Sequence, residues 1–360
     1  MIRVLQVLST EADFQSTRGA RTIARDSGAD FSIAIQTIGR GGTWRSVPFA
    51  VGGLRGEDTD IVHAWDLPSL AAAVLARSRR IVFTPSQFPS PRSAGWMQAI
   101  TAFGDVQIVC TSTSAWRAWV RHGVLADRCH LIRPGVEFGR ARRRRDPVLR
   151  AALGLSDSDH VLLAVGESTR AARHDHAVWA ASILHVMDRQ QKLLLWGRGD
   201  GWGKAERLAK RLGHAELCVV AEQRLGKALE FEELLPAADM ALIAADGPIA
   251  PLPVAICMGA GLPIVATVTP VVSEMLEDRH TAYMTPPGAV RAMAQRIRDL
   301  RAAADAQRSI ADRARSEAYD YFAHTRFIDR HRELYSQYAA GEAVRLDEEP
   351  SVQRRGEGAS

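Results

Sequence analysis

Lysine is scarce in this chain: of 46 basic residues only Lys192, Lys204, Lys210 and Lys227 are lysines, so arginine supplies nearly all the positive charge. Cysteine is as sparse. Cys110, Cys129, Cys218 and Cys257 lie far apart in mostly apolar runs, with no Cys-x-x-Cys pair, and are expected as buried thiols in a reducing compartment. No run of 18 apolar residues exists, so no stretch is expected to span a membrane. The opening apolar run is too short and wrongly flanked for a signal peptide, and a cytoplasmic location is expected. What remains is ordinary for a soluble globular chain of two domains: 360 residues, 46% hydrophobic and 24% charged. The formal charge of +5 suits anionic partners such as diphosphates or an acidic membrane face. It does not call for nucleic acid: the basic stretch from Arg140 to Arg145 has no aromatic interleaving or recognition motif and reads as a solvated linker.

An α/β rhythm runs through the sequence twice. Apolar runs at 2–8 (IRVLQVL), 31–38 (FSIAIQTI), 61–65, 80–84, 106–111 and 129–132 read as strands, with helical patterns at 67–76, 96–103 and 114–122. Alternating strands and helices predict a parallel sheet covered by helices. The turn Arg133-Pro134-Gly135-Val136 closes this half. A helix at 147–153, the turn Ser156–Asp159 and the strand 160–166 (HVLLAVG) open the second half. Strands at 192–196 and 217–221 follow, with helices near 177–188 and 204–212, and later helices near 289–304, 306–322 and 327–338. The chain is therefore divided into domains at 1–145 and 146–322, a C-terminal helix at 323–340 packing back toward the first domain, and a charged tail at 341–360 expected to be disordered.

The densest information lies in 231–274, FEELLPAADMALIAADGPIAPLPVAICMGAGLPIVATVTPVVSE. An apolar strand from Met240 to Ala245 leads into a Gly/Pro loop, a helix of small residues, and a second strand at Ile264 to Ala266. That succession is one right-handed crossover of a parallel sheet. Its loop falls at the sheet's carboxyl edge, where open α/β sheets bind ligands. Ala255, Gly259, Ala260 and Gly261 predict close helix–sheet packing and backbone N–H groups turned toward an anion.

Three segments carry a family resemblance. Leu131-Ile132-Arg133-Pro134-Gly135-Val136-Glu137 looks like an "I-P-x-G-V-D" turn, and Leu163-Ala164-Val165-Gly166 with Arg170 and Arg173 looks like "V-G-R-L…K-G". Leu234-Leu235-Pro236-Ala237-Ala238-Asp239, with Met258 through Ala266, looks like "Y-x-x-A-D…E-A-M-A-x-G-x-P-V-V-A". In this order the chain resembles, over about residues 2–338, glycosyltransferase family four, the glycosyl transferases group 1. The resemblance implies the GT-B fold: α/β, with two Rossmann-like doubly wound domains facing across a cleft.

What the resemblance implies for the site departs from the family pattern in several places. The family's Glu-x7-Glu pair straddles the donor sugar; aligning on Gly261 and Pro263 puts Pro248 and Ile256 there. Asp246, two positions earlier, stands in for the first carboxylate, and nothing replaces the second. The family's Arg and Lys meet the diphosphate from the loop after the first strand of domain two. Here Glu167 and Ser168 follow Gly166, and Arg170 and Arg173 are expected to grip the phosphates; two solvated surface arginines are the alternative. Backbone approach to the donor is expected at Gly166, Gly197, Gly199, Pro248, Gly259 and Gly261, with Glu274 as a further carboxylate. In the first domain, Ser16 to Ala20 precedes a helix and offers Arg18 and Gly19 as a phosphate loop. On the acceptor side Ser86 occupies the family's histidine position, and His63 either reaches the cleft or is a satisfied strand-end histidine.

Other features read as structure. His174-Asp175-His176 cannot converge on one ion from a helix start, and Asp157-Ser158-Asp159 is turn chemistry before a strand; no metal site and no cofactor are expected. Trp44, Trp96, Trp116 and Trp119 either line the acceptor side or pack in a core. The expected function is transfer of a sugar from a nucleoside-diphosphate sugar to a carbohydrate or lipid-linked acceptor, with retention of configuration. A degenerate GT-B subunit that binds a sugar nucleotide or partner without turnover is the alternative.

Overall fold

The computed structural model describes residues 1–39, 43–85, 88–141, 144–197 and 201–346. The chain forms two compact units, one built from Met1–Gly135 and resumed at Phe322, the other from Val136–Tyr321. The changeover lies at Gly135–Val136, within the predicted turn and ahead of the basic stretch.

In the first unit the strands β1 (Ile2–Ser9), β2 (Phe31–Ile38), β3 (Ile61–Ala64), β4 (Ile81–Phe83), β5 (Val106–Cys110) and β6 (Cys129–Leu131) form one parallel sheet ordered β2-β1-β3-β4-β5-β6. The central β3, β4 and β5 are buried throughout, as strands covered on both faces must be, whereas the edge strand β2 is half-buried or exposed at every position before Ile38. Helices α1 (Phe14–Asp26), α2 (Val47–Gly56), α3 (Leu67–Leu75), α4 (Pro91–Phe103) and α5 (Thr113–Arg121) connect them. Among these, α2 has no counterpart in the predicted elements: its glycines and proline mask a buried stripe of Val47, Ala50 and Leu54.

The second unit repeats the design. Strands β7 (His160–Ala164), β8 (Gln191–Leu195), β9 (Cys218–Val220), β10 (Met240–Ile243), β11 (Ile264–Thr267) and β12 (Tyr283–Thr285) are ordered β12-β11-β10-β7-β8-β9, all parallel. Its helices are α6 (Pro147–Ala152), α7 (His174–Met187), α8 (Gly201–Arg211), α9 (Ala221–Leu225), α10 (Pro251–Gly259), α11 (Pro270–Met275), α12 (Val290–Ala302) and α13 (Ala304–Tyr321). The strand order reverses between β10 and β7, which makes their carboxyl ends the switch point where such sheets take ligands. The short edge strand β12 is missing from the predicted set because three residues carry no readable period.

The last helix, α14 (His324–Ala340), belongs to the first unit. It lays Phe327, Ile328, Leu334, Tyr335 and Tyr338 against Val4, Leu8, Ile23 and Trp65. Polar groups register it. The Nε2 of Gln6 donates to Tyr335 Oη at 2.9 Å, and Tyr335 Oη lies 2.6 Å from His63 Nδ1. The segment from Gly341 differs from its expected disorder at its start: Val344 and Leu346 pack against this cluster, and Arg345 N–H donates to Gln337 at 2.7 Å. The rest of that tail, from 347, lies outside the described residues. All four cysteines are buried and free. Among the described residues no helix is long and apolar enough to cross a membrane.

Candidate functional site

The loops that leave β7 and β10 are bound to each other at the switch point of the second sheet. After β7, Gly166 turns at φ +106°, a conformation glycine adopts without penalty, and its position is in ordinary contact with Ala172. The loop then runs through Thr169 and Arg170, both exposed, to Arg173. Asp246, just past β10, donates its backbone N–H to Ala171 O at 3.0 Å. Its carboxylate pairs with Arg173, and Arg173 also holds Asp175 through two contacts of 2.9 Å. Gly247 completes the contact, since a Cβ there would lie 3.2 Å from Ala171 Cβ.

Arg173 is thus paired with two carboxylates. It sits in left-handed backbone, φ 49° and ψ 50°, directly before α7, a conformation costing a non-glycine residue about 1 kcal/mol. The hydrogen bonds it donates to Asp175, and to a lesser extent to Asp246, raise its pKa against an opposing desolvation that ranks between them, while Arg173 holds the Asp175 carboxyl below its ordinary range. One guanidinium between two carboxylates leaves a local charge of −1. Arg173, expected as a phosphate grip, and Asp246, expected as a carboxylate open to sugar hydroxyls, engage each other.

Next to this triad lies an open depression of about 490 Å³ lined by Ser168, Thr169, Arg170, Arg173, Asp175 and Lys204, among others. Arg170 is exposed there, and so is Lys204 in the first turn of α8. His174 closes its floor. Burial depresses its pKa to about 4, so the ring is neutral; Nε2 lies 3.2 Å from the Glu167 carbonyl, and the ring packs 4.6 Å from Trp202. Gly197 turns at φ +106° after β8 and donates its N–H to Glu222 Oε1 at 2.9 Å. Gly199 lies outside the described residues.

α10 is buried along its whole length, and Ile256 is 1% exposed. Gly259 is required by packing, because a Cβ there would approach Phe138 to 2.6 Å; Gly261 turns at φ +65° against Arg315. The expected row of backbone donors at the head of α10 is reduced, since Pro251 and Pro253 carry no N–H in its first turn. Pro248 is exposed on the loop before it, and Glu274 is half-buried in α11.

The first unit arranges its candidates differently. Ser16 to Ala20 does not precede a helix; it lies inside α1. The helix head is occupied by the Asp13 carboxylate, which accepts from Ser16 N–H at 2.7 Å, so a second anion there would meet like charge. Gly19 serves packing, with Trp65 Cη2 only 2.6 Å from where its Cβ would be, and Arg18 is half-buried on the same helix. His63 is fully buried, bonded through Nδ1 to Tyr335 and through Nε2 to Thr84 Oγ1 at 2.7 Å, and stacked on Trp65 at 4.4 Å. Desolvation holds its pKa well below the ordinary value. It is the satisfied strand histidine. Ser86 lies outside the described residues. Trp119 is in the core and Trp116 packs against it, whereas Trp44 and Trp96 are exposed.

Lys204 and the binding of Asp175 to Arg173 were missed in the sequence. Lys204 had one available signal: it is one of four lysines and follows the glycine-rich turn after a strand. The Asp175 contact had none, because it depends on the backbone turn at Arg173.

Residues 159–302 match the family model described as glycosyl transferases group 1. Over 225 residues the chain is 24% identical to the N-acetyl-alpha-D-glucosaminyl L-malate synthase of Bacillus anthracis, a match spanning 60% of this chain and 58% of that relative. Among solved structures it is similar to Anabaena HepE in complex with UDP and glucose, with a TM-score of 0.76, 16% identity, and coverage of 94% of this chain and 100% of the other. The sucrose-phosphate synthase of Thermosynechococcus elongatus gives a TM-score of 0.77 at 16% identity, covering 95% and 100%.

Proposed function

We propose that this chain is a divergent member of the glycosyl transferases group 1 on the GT-B fold and that it transfers a sugar from a nucleoside-diphosphate sugar to a carbohydrate or lipid-linked acceptor in the cytoplasm. The observation that carries the reading is the pair of exposed cations, Arg170 and Lys204, lining one depression beside the switch point of the unit that matches the family. Breaking a sugar–diphosphate bond builds negative charge on the diphosphate, and fixed cations at that position lower the barrier. In this reading Arg170 takes a phosphate bidentately and Lys204 supplies a second point charge. Arg173, Asp175 and Asp246 hold the two loops in register, a positioning role. Retention of configuration belongs to the reading through the family resemblance, and the charge is met without a metal.

Calorimetry with UDP-, GDP- and ADP-sugars tests the proposal, UDP-glucose first because HepE is solved with UDP and glucose. Saturable binding and slow donor hydrolysis, both lost in Arg170→Ala plus Lys204→Ala and both unaltered by EDTA, are expected. Binding that survives the double substitution would show that the donor sits elsewhere; binding without any turnover would make the chain a sugar-nucleotide-binding subunit.

A further inference from the structure

Three of the four sheet edges are blunted by length: β6, β9 and β12 are strands of three residues each. The fourth, β2, is not. It pairs with β1 over eight consecutive residues without a bulge, and among the described residues β1 is its one neighbour in the sheet. Its sequence, FSIAIQTI, contains no charged residue, no proline and no glycine. Ser32, Ala34, Ile35 and Thr37 are exposed, Ile35 at 41%. Beyond the β1 ladder its backbone bonds lie at its ends, Phe31 N–H to Gly28 O at 3.4 Å and Thr10 N–H to Ile38 O at 3.1 Å; among the described residues none is made from 32 to 37. A long, uncharged edge offers N–H and C=O groups to any further strand, and proteins that leave one unpaired guard it with charge, proline, a bulge or a covering element. None of the first three guards stands on β2.

The chain's own tail is a poor strand for that edge: 347–360 holds one β-branched apolar residue, Val352, beside Pro350, Gly356 and Gly358. A second copy fits better. Opposite residues of an antiparallel pair point to the same face, so a two-fold axis between two copies of one strand passes through a residue. Placed at Ile35, the axis sets Ile35 against Ile35, Ile33 against Thr37, Ala34 against Gln36 and Ser32 against Ile38. No like charges meet. Ile35 gains the cover that Phe31 and Ile33, on the same face, already have from the α14 cluster. Eight residues span about 27 Å, and the sheet edge with half a helix layer on either side is about 20 Å deep. Two copies then bury roughly 1,000 Å² in total, the lower limit of a specific interface, which makes for a reversible dimer.

We propose that β2 is a dimer edge: it pairs antiparallel with β2 of a second copy across a two-fold axis at Ile35, joining the two first-unit sheets into one continuous sheet. Sedimentation velocity of the full chain from about 1 to 100 μM tests it, with a monomer–dimer equilibrium expected in that range. Ile35→Lys sets two ammonium groups opposite each other on the axis and should weaken the dimer roughly tenfold or more, most at low salt. Ile35→Cys should give a disulfide-linked dimer with oxidised glutathione, because facing residues lie about 4.5–5.5 Å apart at Cα, within disulfide reach. Ser32→Cys, which faces Ile38 rather than its own copy, is the control, and the four native cysteines are buried. Both substituted positions are exposed, so thermal unfolding of the variants should match the parent; if Ile35→Lys does not fold, Thr37→Lys, also at an exposed position, decides. A monomer at every concentration, a dimer untouched by the lysine, or crosslinking as strong in Ser32→Cys as in Ile35→Cys overturns the proposal. Donor calorimetry is a separate readout that bears on the transferase reading alone, so the two can fail independently.

Discussion

Arg170 and Arg173 stand three residues apart on one loop and are chemically identical, yet Arg173 is paired with two carboxylates whereas Arg170 is exposed. Asp175 and Asp246 both pair with Arg173, and surface pairs of this kind contribute only about 0.2–1 kcal/mol each. Arg170→Ala should therefore leave thermal unfolding unchanged and lower kcat/KM for the donor roughly ten- to hundredfold, the size of one charge-assisted contact. An equal loss from Arg173→Ala with Arg170→Ala silent, read in the same donor-hydrolysis assay, would reverse the roles. Gly19 gives a prediction about packing. Trp65 cannot withdraw from an added methyl, because its ring is stacked on His63 and its Nε1 donates to Gln6. Gly19→Ala should cost about 1–3 kcal/mol in urea unfolding, the usual penalty of overpacking. A neutral result would mean that α1 shifts freely.

At the scale of elements, α14 shows how a helix distant in sequence becomes part of a sheet's core. Its apolar stripe supplies the attraction, and the chain Gln6–Tyr335–His63–Thr84 fixes its register. Removing the Tyr335 hydroxyl leaves the Gln6 donor and the His63 ring nitrogen buried without their partner. Tyr335→Phe is expected to destabilise the chain by about 1–3 kcal/mol while keeping the ring's packing, and differential scanning calorimetry measures it. No loss would mean that water replaces the hydroxyl. α10 makes a contrasting case: the helix was legible from its small residues, but Pro251 and Pro253 strip donors from its head, and that is visible only once the helix is known to begin at Pro251.

Across the whole molecule, buried neutral histidines set the response to acid. Burial holds His130, His174 and His331 down to about 4, and His63 well below its ordinary value; they are spread over both units. His63 is faced by Tyr335, Thr84, Trp65 and His331, none of them a carboxylate. In the unfolded chain each of these rings takes up its proton near pH 6.5, while in the folded chain His130, His174 and His331 resist until about 4 and burial likewise disfavours protonation of His63. The unfolded state therefore binds more protons in that window, so stability is complete above pH 6.5 and falls as pH drops toward 4. Each such histidine contributes a slope of about 1.4 kcal/mol per pH unit. Urea unfolding followed from pH 7 to pH 4 should show this decline, and His331→Gln should flatten it. A flat profile in the parent would mean that the rings reach solvent.

The sequence by itself determined the two parallel sheets, the turn between the halves and the crossover whose loop lies at the carboxyl edge of the second sheet. These follow from local periodicity and from the rule that parallel strands need crossover helices. Only the tertiary structure decided that Gly19 is a packing residue, that His63 is sealed in the core, that Asp246 answers Arg173, and that Lys204 joins Arg170. Each of those facts depends on side chains brought together from distant loops, and the free energy of a charge or a hydroxyl depends on what folding places beside it.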